Sequence, residues 1–598
     1  MTTVESRVGT AEPPMSAAGG RATATVPRVS TLDIDVSIKD ALRISDAAVS
    51  SAVPKPAKIA LLIAVLTGQA LLTVRLIHPH YASGDEGRYI YAGHQLIHEL
   101  WHGGGSPFYE NYFSGAPVIY PVIAAMADHV GGLVAVRLMS LVFMLAATVT
   151  LFAATRRLFG YSSAILAATL FAGLGLTQDL GALATSDAMA LMLMAAAAYC
   201  AARTRDNSPH ATFWLLALPV VLLLANCTKY MTVLFDPVVI ALAALQVRGG
   251  WCRALTRCTA LSAAVALALA LALALAGGSY LRGVLFSTVA RPPGTNVIFD
   301  IHQQTPRTIA LDTWQWIGVT IVGSIIALAA ALLFRKDKKA AATVALFMLA
   351  SVVVTVAGLH LQTDESLRKH DDFSAWFACA NAGSIASYIR FRARSALGTL
   401  AGAGMLAAAV ASGAHYSKLA GTTFEAGGPQ TTLEVAATLR PYLASGHYRY
   451  LLGGFDNEQL LYLDHSPVRW FDNTDDVYIK YPIPGRGGDE QGQTPGRTCF
   501  GLAPGCRYLE GMTGYRMAIH AHWFALISLW GGHGTPQDAE IAQAVEDTPG
   551  YVLLTRIGRA PTWVYAPDYP GLVNRSPERH SAAERRGHSH EPRPAHHG

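Results

Sequence analysis

Ala260-Leu261-Ser262-Ala263-Ala264-Val265-Ala266-Leu267-Ala268-Leu269, continued as alternating Leu and Ala to Gly277, contains no charged side chain. A helix rises about 1.5 Å per residue, so this run approaches the roughly 20 residues needed to cross the hydrocarbon core of a bilayer. Ile317 to Phe334 is a second run of the same kind. The chain around them has 598 residues, of which 52% are apolar and only 15% charged. That balance is too apolar for an ordinary soluble protein and fits a polytopic membrane protein.

Working outward from these runs, the hydropathy pattern predicts about 11 spans. The first is Ile59 to Ile77. The segment from His78 to His129 is amphipathic and interrupted by Gly103-Gly104-Gly105, Pro107, Pro117 and Pro121, which predicts one or two helices lying along the membrane surface. Further spans are expected at Leu133–Ala154, Ser162–Thr177, Asp187–Ala202, Thr212–Cys227, Met231–Leu245 and Thr259–Ala276. A second large loop, Gly277–Asp312, then leads to an eighth span ending at Arg335. Ala341–Leu359, Ala375–Ile389 and Ala396–Ala414 complete the set.

Basic clusters occur at Arg156-Arg157, at Arg203 and Arg205, at Arg248, Arg253 and Arg257, at Arg335 to Lys339, and at Arg390, Arg392 and Arg394. With a cytoplasmic amino terminus every one of them falls inside, as the positive-inside rule requires. The same topology puts the Asp85 loop, the Gly277–Asp312 loop, the Gln362–Phe373 loop and the C-terminal region on the outer face of the plasma membrane. The net charge of +5 is thereby accounted for by short loops. No basic patch with interleaved aromatics points to nucleic acid.

Residues 1–56 are rich in Ala, Thr, Ser, Pro and Gly and are expected to form a disordered cytoplasmic tail. Residues 57–415 form the transmembrane domain, and 416–573 read as an extracytoplasmic α/β domain. In that domain Tyr448–Leu452 and Gly550–Thr555 have strand character, and Thr431–Arg440 and Gln537–Glu546 helical character. Residues 574–598 are a His- and Arg-rich tail. Seven cysteines are too few and too scattered for a disulfide scaffold. Cys200, Cys227 and Cys379 lie in apolar runs as core residues, whereas Cys499 and Cys506 are close enough in sequence for a disulfide on the oxidising side.

Against this apolar background the polar residues near the spans stand out. Asp85, Glu86 and Arg88 follow the first span, and Asp128 and His129 precede the second. Asp187 opens the fourth, Lys229 lies between the fifth and sixth, and Arg368-Lys369-His370-Asp371-Asp372 precedes the tenth. Facing lipid, each charge costs a few kcal/mol, about 2.5–3.5 at mid-membrane on insertion scales, so they are expected to share a cavity at the outer leaflet. Acids and cations together suit a reaction in which a base deprotonates a nucleophile while cations hold an anionic leaving group. Plainer roles compete: a wetted loop for Asp85-Glu86, an interfacial snorkel for Lys229, a helix cap for Asp187, local backbone bonding for Asp236 and the end of a surface helix for Asp128-His129.

These residues resemble a family. Asp85-Glu86-Gly87-Arg88-Tyr89 is similar to the Asp-Glu-x-x-Tyr element of the GT-C superfamily of membrane glycosyltransferases, in its aminoarabinose transferase and protein O-mannosyltransferase branch. Gly115 to Pro121, Ala135-Val136-Arg137-Leu138-Met139-Ser140, Thr185-Ser186-Asp187 and Thr228-Lys229-Tyr230 resemble further elements of that branch in the same order. Ala116 stands where a proline is usual. The resemblance covers about residues 57–250 by motif and the remaining spans by layout.

The resemblance implies an inverting transfer of a sugar from a polyprenyl-phosphate carrier to a glycan, lipid or protein acceptor at the outer face. Asp85 would be the general base, and Glu86 would position the acceptor or help to bind a cation. Arg88 and Lys229 would neutralise the carrier phosphate, and Asp187 would hold sugar hydroxyls or a metal ion. Lys369 and His370 join the phosphate contacts by topology alone. Asp85, Glu86 and Asp187 would make an incomplete oxygen set for a divalent metal ion, so metal dependence stays open. A lipid or solute transporter or flippase, or a membrane scaffold with an outer binding domain, would gather similar charges. Transporters, however, tend to show internal repeats, and none is evident here.

Overall fold

The computed structural model describes residues 54–77, 84–102, 119–205, 210–276 apart from 249, 304–334, 338–362 and 367–392. Toward the C-terminus it describes 438–442, 449–452, 470–473, 478–482, 506–529, 536–557 and 560–569, together with isolated positions such as Ala82. Residues 1–53 of the expected amino-terminal tail, the C-terminal tail, all but isolated positions of the expected eleventh span, and Cys499 lie outside these residues, and with Cys499 the expected disulfide. The amino-terminal tail is expected to run to residue 56, but the first helix already begins at Lys55.

Among the described residues the membrane part is built of helices. Its order is α1 (Lys55–Val74), α2 (Gly84–His102), α3 (Ile119–Phe159), α4 (Tyr161–Gly173), α5 (Gly175–Ala182), α6 (Ser186–Arg203) and α7 (Ala211–Thr228). A 3-10 turn, Tyr230–Phe235, leads into α8 (Asp236–Leu245), followed by α9 (Trp251–Ala276), α10 (Pro306–Phe334), α11 (Lys338–Ala350), α12 (Val353–Leu361) and α13 (Leu367–Arg392). Among the described residues six helical stretches are long and apolar enough to cross a membrane, or seven if the bent pair α4 and α5, at 63°, counts as one. The protein is therefore a multi-pass membrane protein.

Several boundaries have local causes. The surface helix and the second span are one element, α3, broken at Gly131 and at Gly132, whose φ of 64° is a left-handed value that suits glycine. The expected end of the surface helix at Asp128-His129 is therefore displaced to the glycine pair. The loop expected to run to Asp312 stops earlier. Thr305 accepts the Thr308 N–H at 3.2 Å as a cap, and Pro306 occupies the first helical position. Arg307 is exposed on the first turn of α10, so a charge there does not oppose the helix. The ninth span is α11 and α12, interrupted at Ser351 and Val352.

The core is built from aromatic and small residues. Phe235 stacks on Phe377 at 5.5 Å, and the fully buried Trp376 donates its indole N–H to the Ala147 carbonyl at 3.2 Å. Small residues let helices approach closely where lipid gives no hydrophobic drive for helix association. At Gly383 of α13 a Cβ would lie 2.5 Å from the Ser163 carbonyl oxygen of α4. At Gly93 of α2 it would lie 1.9 Å from the Pro121 carbonyl oxygen of α3. Cys200 and Cys379 are buried and Cys227 is partly buried, all as free thiols.

The C-terminal part is α/β, as expected. Its strands are β1 (Arg449–Leu452), β2 (Trp470–Asn473), β3 (Tyr478–Pro482), β4 (Cys506–Glu510), β5 (Leu526–Ser528), β6 (Tyr551–Ile557) and β7 (Ala560–Tyr565), with helices α14 (Gly511–His520) and α15 (Pro536–Glu546). A five-stranded sheet has the order β2-β1-β5-β7-β6, and β3 and β4 form a separate antiparallel pair. Strand β1 is parallel to β2 and β5, whereas β7 is antiparallel to β5 and β6. Tyr515, Ile519, Phe524, Ile541 and Trp563 form its core. Of the expected helix Thr431–Arg440, only residues from 438 on are described, and they are helical.

The crossing of α2 over α3 has a direct test. Gly93→Ala places a methyl against backbone and is expected to destabilise by about 1–3 kcal/mol or more, whereas Gly68→Ala, with nothing within 4 Å, is expected to be neutral. Thermal unfolding in detergent separates the two, and equal midpoints would contradict the close crossing.

Candidate active site

The site grows from the first turn of α2, where Asp85 and Glu86 both sit. Carboxylates are favoured there by the positive end of the helix dipole. They face different partners. Glu86 is fully buried, accepts Arg137 Nε at 2.8 Å and Nη2 at 2.6 Å on its two oxygens, and also accepts the Ala184 N–H at 2.6 Å. This bidentate pair ties α2 to α3 and to the turn before α6. Glu86 is thus held by protein groups on both carboxylate oxygens. One turn further, Tyr89 accepts a hydrogen bond from Ser186 at 3.1 Å and packs edge-on against Tyr120.

Asp85 points elsewhere. It is ion-paired to Lys369, which lies 284 positions away in the first turn of α13. Half of its side chain, 51%, stays exposed, while that of Lys369 is 25% exposed. Burial pushes the Asp85 carboxyl up, but the nearby charges of Lys369, Lys229 and Arg88 outweigh it and hold the group below its ordinary value of 3.8. Asp85 is therefore an anion at neutral pH, and its favourable pairing is lost only as pH falls below that value.

Asp187, in the first turn of α6, accepts Lys229 Nζ at 2.5 Å and is 1% exposed. Lys229 reaches it because α7 ends there: Lys229 is extended, at φ −155° and ψ 114°, between α7 and the 3-10 turn. His370 and Lys369 both act electrostatically on Asp187. Arg88 is buried beside Asp85. Six of the seven expected site residues, Asp85, Arg88, Asp187, Lys229, Lys369 and His370, therefore form one cluster, with Glu86 in the wall behind it. The cluster sits where the N-termini of α2, α6 and α13 meet the C-terminus of α7.

Several residues that the sequence names without giving them a partner hold the surroundings of this cluster. Arg137 is the buried partner of Glu86, although its position as a charge inside the second span was a usable signal. Arg368 pairs with Asp179 of α5 at 2.7 Å and lies over the Trp316 ring at 4.6 Å, fixing the start of α13. Asp372 accepts Thr177 Oγ1 at 2.9 Å. His94 and Asp128 pair at 2.8 Å between α2 and α3, and Asp236 accepts Asn226 Nδ2 at 2.8 Å. Among the described residues no group of three or more His, Cys, Asp or Glu side chains is arranged to hold a metal ion. Asp85, Glu86 and Asp187 each face a separate cation instead of converging.

Helices in this order, with charges gathered at one end of the bundle, define a polytopic membrane protein with a polar site among helix ends. A search of curated protein sequences finds no match. Residues 115–275 match the family model described as dolichyl-phosphate-mannose-protein mannosyltransferase. Among solved structures, ArnT from Cupriavidus metallidurans bound to undecaprenyl phosphate is similar at 12% identity and a TM-score of 0.53, over 86% of this chain and 98% of that one. The Archaeoglobus fulgidus oligosaccharyltransferase is similar at 10% identity and 0.48, over 69% of this chain and 64% of that one. The arabinofuranosyltransferase AftD from Mycobacteria follows at 15% and 0.48, over 86% and 42%. The fold is shared with that ArnT structure. The family match begins at residue 115, so Arg137, Asp187 and Lys229 fall within it and the Asp85 element precedes it.

The Glu86–Arg137 pair yields a prediction. Removing either charge alone, by Glu86→Gln or Arg137→Met, strands the other in a dry site and is expected to cost about 3–5 kcal/mol. Combining the two is expected to cost much less than the sum. Thermal unfolding of the four proteins measures the coupling, and simple additivity would refute the pairing.

Proposed function

We propose that this chain transfers a sugar from a polyprenyl-phosphate carrier to an acceptor hydroxyl at the outer face of the plasma membrane, with inversion at the anomeric carbon. The observation that supports this most directly is a half-exposed carboxylate, Asp85, set among cations brought from α2, α7 and α13.

In the proposed step Asp85 accepts the proton of the acceptor hydroxyl as its oxygen attacks the anomeric carbon. The bond from that carbon to the carrier phosphate oxygen breaks, and the phosphate leaves with one more negative charge. Lys229, Lys369, Arg88 and His370 supply the charge that receives it, aided by the positive ends of α2, α6 and α13. The more buried of these cations, Arg88 and Lys229, stabilise such charge more than bulk solvent does. Asp187, held by Lys229, is placed to accept sugar hydroxyls. The acceptor class, a cell-envelope glycan, lipid or protein, follows from the same outward position of the site. A cytoplasmic amino terminus, derived from the basic loops, puts the N-termini of α2, α6 and α13 and the C-terminus of α7 together outside, as one shared site requires.

Membranes containing the protein are expected to move radiolabelled sugar from a polyprenyl-phosphate donor into acceptor material. Asp85→Asn is expected to lower that transfer by at least about a hundredfold, the lower bound for loss of a general base. Transfer at wild-type rate by the Asn variant would remove Asp85 from the chemistry. No transfer from any donor in a panel would favour carriage of lipid across the membrane.

A further inference from the structure

We propose that Lys369 is an exchangeable cation, pairing with Asp85 in the carrier-free protein and passing to the carrier phosphate when the donor binds, which uncovers the Asp85 carboxylate. This rests on the carrier-phosphate reading above and assigns to one residue the coupling between donor binding and readiness of the base.

The ion pairs around the site differ in how readily they exchange. Arg137 and Glu86 are 3% and 0% exposed, and Lys229 and Asp187 are 15% and 1% exposed. Parting either would strand a carboxylate away from water, a heavily penalised state. Lys369 and Asp85 are 25% and 51% exposed, so water can solvate both partners as they separate. Exposed pairs gain little from contact, so the phosphodiester anion of a donor at the same opening can compete for the ammonium, and the extra charge on the carrier phosphate once the sugar has left holds it more strongly.

The anchoring of Lys369 also fits an exchange. Its neighbour Arg368 is clamped by Asp179 at 2.7 Å and by the Trp316 ring at 4.6 Å, which holds the first turn of α13 against α5 and α10. The backbone at 369 is thus fixed while the four-carbon stem of the lysine swings. Its ammonium already lies within the field of Asp187 as well as Asp85, so a position between the two carboxylates is electrostatically available. While Lys369 is paired with Asp85, the carboxylate is weakened as a proton acceptor. An acceptor arriving without donor would meet a blocked base, so the donor is expected to bind first.

The test uses the full-length protein in nanodiscs and undecaprenyl phosphate as probe, with binding read by thermophoresis. Wild type, Asp85→Asn, Lys369→Met and the double variant are compared. Freeing Lys369 by Asp85→Asn is expected to tighten binding about two- to fivefold, the range of an exposed pair. Lys369→Met is expected to weaken it, and adding Asp85→Asn to that background is expected to give no gain. An equal gain in both backgrounds would show Asp85 acting by its own charge and overturn the exchange. So would no gain in either, while the carrier reading would survive if wild type binds. Failure of all four proteins to bind would overturn that reading and the exchange together. Lys369→Arg guards against misfolding: it keeps the cation and is expected to bind within about threefold of wild type, and binding as weak as Lys369→Met would count against the exchange.

Discussion

A carboxylate with no exposed surface, Glu86, and a guanidinium 3% exposed, Arg137, are the contact on which the rest of the site depends. Each would be too costly to bury alone, so each fixes where the other can be. The Ala184 N–H on the same carboxylate brings in the turn before α6. Three segments are thereby locked around one charge, and the residues beside them in sequence, Asp85, Tyr89 and Asp187, inherit their positions. Glycine at 93 supports the same arrangement sterically, since α2 could not otherwise lie so close to the Pro121 carbonyl.

Around that pair the charges become more exposed step by step. Lys229 and Asp187 are nearly buried, and Lys369 and Asp85 are open. A gradient of this kind separates two demands. Charges that hold helices together need to be dry, because water weakens them. Charges that meet a substrate need to be reachable and replaceable. The two sit within one helical turn, at Glu86 and Asp85.

Much of this was legible in the chain. Runs such as Ala260–Gly277 exceed what a soluble core needs, and their spacing located most helices within a few residues. Charges beside apolar runs marked Asp85, Asp187 and Lys229, because a charge there demands a reason. Lys369 and His370 followed from topology, since counting spans put their loop on the same side as Asp85. Partnership was not legible. Neighbours in sequence, Asp85 and Glu86, differ by nearly one helical step of 100°, and only the packing of α3 decides which of them faces Arg137. The start of α10 was missed because Arg307 and Asp312 look like loop residues, although Thr305-Pro306 is a helix-opening pair. The break within the ninth span left no proline or glycine to announce it.

The distance along the chain between Asp85 and Lys369 has a consequence for biosynthesis. A ribosome adding about 5–20 residues per second needs roughly 15–60 s to make the 284 residues between them. Through that interval α2 is already in place with its carboxylate lacking the α13 cation. The cluster is completed only when nearly all of the membrane part has been inserted. A chain cut short before α13 would carry the base without its partner, so the membrane is not exposed to partly made copies bearing a finished site.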